Sequence, residues 1–317
     1  MTLRVGVTGA SGFVGGAVAR RAVADGHRVW TFSRRDARVH GAEHRAWDLA
    51  AGPLDAPPDL DVVVHAGAAV SDWAHHDVAW ATNVEGTRAV RATFAGARFV
   101  HVSSASVYDP YAPTVRGREA EAPVDRYLNA YGVTKAAAER VLGEDTGTPG
   151  RGPVVILRPH AVYGPGDTTL LPRIEAAVRG RRLLLVGDGS ALQSLTHVDT
   201  LVDAALAAAT LDLPAQRALV VNVADAEPVV LGEVLLELLR RRGHDGVTLV
   251  GLPARPAWAL AACAESLWRW AGRAEPPRLT RYAISHLAVE RTYDLTVLRE
   301  VLGVEPRATS LEGAEAW

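Results

Sequence analysis

Apolar runs rich in β-branched residues alternate with alanine- and arginine-rich stretches along the first half of this 317-residue chain. That alternation restricts the fold more than any other feature, because it is the pattern of parallel strands joined by crossover helices. Strands are expected at Arg4 to Thr8, Arg28 to Phe32, Asp61 to Ala66, Arg98 to Ser103 and Pro153 to Leu157. Helices are expected over Val14 to Asp25, Val84 to Ala95 and Ala130 to Leu142. Right-handed crossovers assemble these pieces into an α/β, doubly wound parallel sheet covered on both faces, whose ligands bind beyond the carboxyl ends of the strands. After Arg158 the alternation weakens and prolines and glycines become frequent, so a smaller, irregular second lobe is expected. Ala218 to Val223 is expected to rejoin the main sheet.

Composition narrows the function. With 48% hydrophobic and 22% charged residues the chain can bury a sizeable core, as one large domain or two interlocked ones. A net charge of -2 and a pI near 6.6 give no general attraction to nucleic acid or anionic lipid. Cys263 is the single cysteine, which excludes an internal disulfide and fits a reducing compartment. No catalytic motif surrounds it, so it is expected to be a small apolar filler. No signal peptide is apparent, and no stretch reaches the roughly 18 apolar residues of a membrane span. A cytoplasmic protein without a transmembrane segment is expected.

The first strand runs directly into Thr8-Gly9-Ala10-Ser11-Gly12-Phe13-Val14-Gly15 and a helix. Such glycines let the backbone turn tightly and approach a pyrophosphate, whose charge meets the amides of the helix N-terminus. A glycine string alone marks only a turn; its place between strand and helix points to a dinucleotide, with Gly9, Ser11, Gly12, Phe13 and Val14 in contact. The second strand ends in Ser33, Arg34 and Arg35, where NAD-binding chains usually place an acid for the ribose 2′-hydroxyl. Two cations there suit a 2′-phosphate, so NADP is expected, with NAD possible; the alternative is two solvated surface arginines. Asp48 and Leu49 are expected near the adenine, and Ala66, Gly67 and Ala68 beneath the dinucleotide.

Lys135 is the only lysine among 34 basic residues. An ammonium is a compact charge with three rotatable donors, which a planar guanidinium does not replace beside a phenol and ribose hydroxyls; chance survival is the plainer reading. Tyr131 precedes it by one helical turn, so both share a face. A free phenol titrates near 10, so a nearby ammonium together with the positive charge of a nicotinamide is expected to bring Tyr131 toward working pH as a proton donor, Lys135 supplying the first.

T-G-x-x-G-x-x-G at Thr8 to Gly15, S-S-A-S-V-Y at Ser103 to Tyr108 and Y-x-x-x-K at Tyr131 to Lys135 are followed by L-R-P-x-x-V-Y-G-P-G-D at Leu157 to Asp167 and T-H-V-D at Thr196 to Asp199. In this order they resemble the extended short-chain dehydrogenase/reductase superfamily, in its NAD-dependent epimerase and 3β-hydroxysteroid dehydrogenase branch, over essentially the whole chain. The resemblance implies a Rossmann dinucleotide-binding domain over 1–160 with a returning segment near 196–224. A substrate-binding lobe would then take 161–195 and 225–317. It implies Tyr131 as acid/base, Lys135 as its electrostatic partner and ribose ligand, and Ser104 as the group that holds the substrate oxygen. It also places Asn83 and Pro159 near the cofactor, leaves His197 structural, and suggests a homodimer through helices containing Ala79 to Ala95 and Ala130 to Leu142. His160 is either a substrate contact or a buried, satisfied histidine.

Within the family, dehydratases carry acids after the catalytic serine or threonine; Ala105 and Ser106 stand there. Nucleotide-sugar epimerases commonly place an arginine before H-V-D, and Leu192 to Thr196 lacks one, although Arg173 or Arg278 could compensate. Gly166 to Ser190 and Glu275 to Arg281 resemble 2-alkyl-3-oxoalkanoate reductases. A ketone/alcohol oxidoreductase acting on a bulky, apolar small molecule is therefore expected. A nucleotide-sugar 4-epimerase with bound NAD is the alternative, and a noncatalytic dinucleotide sensor the third reading. Trp73, Ser106 and His160 are expected near the substrate. Trp258, Trp268 and Trp270 would line or cap its pocket, pack on the core, or touch a membrane surface. The His75-His76 pair lacks further ligands, so no metal is expected.

Overall fold

Seven strands form one parallel sheet in the computed structural model, which describes residues 1–168, 170–214 and 218–317. In spatial order they are Ala218–Val223, Val154–Pro159, Arg98–Val102, Val62–His65, Arg4–Thr8, Arg28–Ser33 and Ala42–Ala46. The chain runs outward from Arg4–Thr8 to the edge strand Ala42–Ala46, then returns to Val62–His65 and builds the other half. Strand order reverses between Arg4–Thr8 and Val62–His65, and a crevice opens beyond the carboxyl ends at such a reversal.

Helices cover both faces of the sheet, which explains why its central strands read as continuous apolar runs. Val5, Val7, Val62, Val64 and Val100 are fully buried. Helices Phe13–Ala24 and Val198–Thr210 cover one face through Val18, Ala19 and Ala22 against Leu201, Ala204 and Ala205. On the other face Trp30, Phe32, Trp47, Phe94, Phe99 and Leu142 form a second cluster. Each large side chain so buried contributes about 1.5–3 kcal/mol.

Ala218–Val223 pairs with Val154–Pro159 as expected. The edge strand Ala42–Ala46 was not expected, since A-E-H-R-A holds no β-branched residue; pairing with Arg28–Ser33 along its whole length holds it in place. The helix expected over Val84 to Ala95 divides into His76–Trp80, a π turn at Ala81–Glu85, and Gly86–Thr93. The Thr87 hydroxyl donates to the Asn83 carbonyl at 2.6 Å inside this irregular stretch, the kind of side-chain competition that loosens a helical ladder.

The second lobe is built on small sheets. Arg182–Val186 lies between Thr248–Leu252 and Val178–Arg179. A four-stranded sheet joins Val229–Val230, Leu192–Gln193, Arg291–Tyr293 and Thr114–Gly117. Thr114–Gly117 comes from within 1–160, while Leu295, Leu298 and Leu302 pack into the main-sheet core, so the lobes exchange more chain than the segment 196–224. Cys263 is exposed on the helix Ala254–Trp270, not the buried filler expected, because Ala257, Ala261 and Glu265 take the inward face. No helix among the described residues is long and apolar enough to cross a membrane.

Candidate active site

A cleft of about 1330 Å³ opens at the reversal of strand order and continues under the second lobe. Of the site residues expected from the sequence, all line it except Asn83 and Trp73. Its floor is the glycine loop. Gly9 has φ +67°, and a Cβ there would stand 2.6 Å from the Gly67 backbone; a Cβ on Gly15 would stand 2.5 Å from the Gly9 carbonyl oxygen. Neither position accepts a side chain, so the loop and the end of Val62–His65 close on each other. The helix Phe13–Ala24 starts at Gly12 with no side-chain cap. Its first amide groups are thus left to an anion from the cleft, and these features fit a dinucleotide pyrophosphate.

Buried polar contacts fix the strand ends around that loop. The Thr8 and His65 side chains meet at 2.7 Å, Gly67 N donates to Thr8 Oγ1 at 3.2 Å, and His65 Nε2 lies 3.0 Å from Thr87 Oγ1. Thr87 gives its own proton to Asn83 O, so His65 Nε2 donates and Nδ1 accepts from Thr8. Burial, with Lys135 nearby, pulls His65 down to about 3 and keeps it neutral. Asn83 works beside this group: its Oδ1 accepts from Ala69 N at 2.7 Å and its Nδ2 donates to Thr134 at 2.9 Å. Asn83 does not line the cleft; its side chain joins the loop after Val62–His65 to the Tyr131 helix.

Arg34 and Arg35 are exposed at the cleft edge, without a carboxylate partner among the described residues. Ser33 is buried and its hydroxyl donates to Arg35 O at 2.6 Å, which shapes that turn. Asp48 accepts from Ala50 N at 3.1 Å and caps the short turn Leu49–Ala51.

Tyr131 and Lys135 lie on the helix Ala130–Asp145, which Asn129 caps by accepting from Gly132 N at 3.0 Å. Lys135 is buried, its Nζ donates to Val102 O at 2.7 Å, and burial pulls it down to about 8. Glu139, one turn on, opposes that fall and is itself paired with Arg158 at 2.6 Å in a fully buried ion pair. Tyr131 departs from expectation: burial pushes its phenol up, opposed by a hydrogen bond with Ser104. The reason is geometric, since the ammonium is directed to the Val102 carbonyl.

His160 is buried with both ring nitrogens engaged, at 2.7 Å to Ser194 O and 3.1 Å to His286 Nδ1. Burial pulls it down to about 4, so it is a satisfied neutral histidine at the cleft wall, and the substrate-contact alternative loses its free nitrogen. Trp73 Nε1 donates to Arg273 O at 3.0 Å, with the Arg269 guanidinium over its ring at 5.1 Å; it ties the lobes together outside the cleft. Trp258, Trp268 and Trp270 do not line the cleft either, and Trp270 is 86% exposed. Leu170, Leu171, Leu195, Leu279, Leu287 and Trp317 supply the apolar wall instead.

Tyr282 was not anticipated. Its hydroxyl lies 2.8 Å from Ser106 Oγ, which lies 2.9 Å from Ser104 Oγ. The available signal was its place directly after Glu275 to Arg281, but nothing in that spacing gives a direction toward Ser106, 176 positions away. Asp72, which no sequence motif marks, pairs with Arg173 at 2.9 Å, and both line the cleft. Among the described residues no group of three or more His, Cys, Asp or Glu side chains could hold a metal.

Residues 5–224 match the NAD dependent epimerase/dehydratase family. The chain is 33% identical to the 2-alkyl-3-oxoalkanoate reductase of Stenotrophomonas maltophilia, over 98% of this chain and 97% of that protein. It is 31% identical to the 4-hydroxy-2-methyl-3-oxo-4-farnesyl-3,4-dihydroquinoline-1-oxide ketoreductase of Stigmatella aurantiaca, over 99% and 95% respectively. The solved structure of MoeE5 in complex with UDP-glucose and NAD superposes with a TM-score of 0.73 at 25% identity, covering 98% of this chain and 96% of that one.

Proposed function

The chain belongs to the NAD dependent epimerase/dehydratase family and is an NAD(P)-dependent oxidoreductase, and from that premise we propose that it interconverts a ketone and a secondary alcohol on a bulky, largely apolar substrate, with NADP as cofactor. The observation that carries this reading is the meeting of Ser104 and Tyr131 in a cleft whose second-lobe wall is leucine-rich. Residues 1–160 and the segment near 196–224 would hold the dinucleotide, and 161–195 with 225–317 the substrate.

The bound dinucleotide supplies the hydride for ketone reduction. Ser104 donates a hydrogen bond to the substrate oxygen and Tyr131 gives that oxygen its proton. Lys135 holds the ribose in this reading, and it favours the phenolate that this transfer leaves behind once its ammonium turns from Val102 O toward the phenol. Arg34 and Arg35 hold the 2′-phosphate. The relatives named for 2-alkyl-3-oxoalkanoate and farnesyl-quinoline substrates support an apolar ketone. NADPH oxidation with a long-chain 2-alkyl-3-keto acid tests the reading, and turnover preferring NADPH over NADH is the expected result.

A nucleotide-sugar 4-epimerase is the second reading, favoured by the likeness to MoeE5 with UDP-glucose and NAD. Against it, Arg173 is engaged by Asp72 and Leu192–Gln193 carries no cation. We further propose a cytoplasmic homodimer through the helices containing Ala79 to Ala95 and Ala130 to Leu142, whose doubled mass sedimentation in the analytical ultracentrifuge would show.

A further inference from the structure

Four hydroxyls stand in file from the second lobe to the first. Tyr282 lies near the start of the helix Arg281–Leu287, capped by Thr280. Its oxygen is 2.8 Å from Ser106 Oγ, Ser106 Oγ is 2.9 Å from Ser104 Oγ, and Ser104 hydrogen-bonds with Tyr131.

Each hydroxyl has a single proton, and this sets the direction of the file. Ser104 must donate its one hydroxyl proton to any substrate oxygen that it holds. Its proton is then committed, so Ser106 donates to Ser104. The one proton of Ser106 is committed in turn, so Tyr282 donates to Ser106. Ser106 N–H also donates to Ser104 Oγ at 3.1 Å, which fills both lone pairs of Ser104 with donors. Each bond in such a chain polarises the next.

The far end of the file is held firmly. Burial keeps Tyr282 well above the usual phenol range, so it retains its proton at working pH. Its ring stands edge-on to His286 at 4.4 Å, and His286 is joined to His160 at 3.1 Å. Neighbouring Arg281 pairs with the buried Glu265 carboxylate at 2.8 Å.

We propose that Tyr282 is a positioning residue for the reaction, acting through Ser106 to strengthen the hydrogen bond from Ser104 to the substrate oxygen as negative charge develops there. The proposal rests on the ketone-reductase reading. It makes the second lobe a contributor to the chemical step as well as to substrate binding, because the file is continuous only while Arg281–Leu287 sits against Ser106.

The test is steady-state NADPH oxidation with a 2-alkyl-3-keto acid by the unchanged enzyme, Tyr282→Phe, Ser106→Ala, Ser106→Thr and the Tyr282→Phe/Ser106→Ala double variant. Each break in the file is expected to lower kcat about tenfold with KM within about twofold. The double variant should lose no more than Ser106→Ala alone, since both changes sever one chain. Ser106→Thr, which restores a hydroxyl, should recover most of kcat; a merely structural role would give neither that rescue nor that non-additivity. Tyr282→Phe at unchanged kcat, or losses that multiply in the double variant, would overturn the proposal alone. Absence of turnover by the unchanged enzyme would overturn the parent reading and this proposal with it.

Discussion

The strand-side wall of the cleft and the second-lobe wall face one cavity but are held by different means. On the strand side the backbone itself is the surface: Gly9 and Gly67 touch with no space for a Cβ, and Lys135 and His65 are fixed by buried hydrogen bonds. On the second-lobe side, side chains reach across large sequence separations, as in Asp72 with Arg173, Trp73 with Arg273 and Tyr282 with Ser106. A surface made of backbone tolerates almost no substitution, whereas one made of side chains can be re-cut without changing the fold. Within one fold, the first suits a shared cofactor and the second suits substrates that differ between relatives.

Removing the proposed proton donor should have the largest effect. Tyr131→Phe is expected to lower kcat about a thousandfold while NADPH affinity, read by fluorescence titration, stays nearly constant; undiminished turnover would remove Tyr131 from the chemistry. Next is the buried ammonium. Burial lowers Lys135 from an ordinary value of 10.5 to about 8, so between these values the unfolded chain binds more protons than the folded one. Stability attributable to this group therefore rises with pH across that window, and below about 8 its cost is fully present. Against Lys135→Met as reference, urea unfolding should show the unchanged protein gaining roughly 3 kcal/mol from pH 8 to 10.5, and parallel pH curves would contradict it.

Gly9→Ala probes the backbone surface directly. With φ +67° and a contact of 2.6 Å to Gly67, it should cost about 2 kcal/mol in thermal unfolding and weaken dinucleotide binding; a neutral result would erase the rigid half of the contrast. Arg34→Ala should weaken NADPH about tenfold while leaving NADH nearly unchanged, and equal losses would show that no 2′-phosphate is read there. Arg173→Ala should have the smallest effect, about a twofold rise in KM, because its side chain is 54% exposed. A tenfold loss there would mean that the second-lobe wall is as intolerant as the strands.

Where chemistry is carried by neighbouring residues, the sequence was informative. The valine-rich strands, the glycine loop and the one-turn spacing of Tyr131 and Lys135 are local patterns, and the structure brings those side chains to one cleft. Contacts between distant segments carry no such signature. Tyr282 has no spacing rule that connects it with Ser106, and the edge strand Ala42–Ala46 is defined by its neighbour's backbone. Tryptophan content near Trp258 and Trp270 signals apolar surface but gives no direction, so the pocket wall fell instead to leucines and Trp317. At Asn83 the neighbourhood of the glycine loop was legible but the side chain's bonds to Ala69 and Thr134 were not.

The most direct measurement is initial rate with a long-chain 2-alkyl-3-keto acid, following NADPH oxidation with NADH in parallel. Rapid turnover with a clear preference for NADPH is the predicted result. No turnover with either cofactor, together with NAD retained through purification and a response to UDP-glucose, would contradict the ketone-reductase assignment.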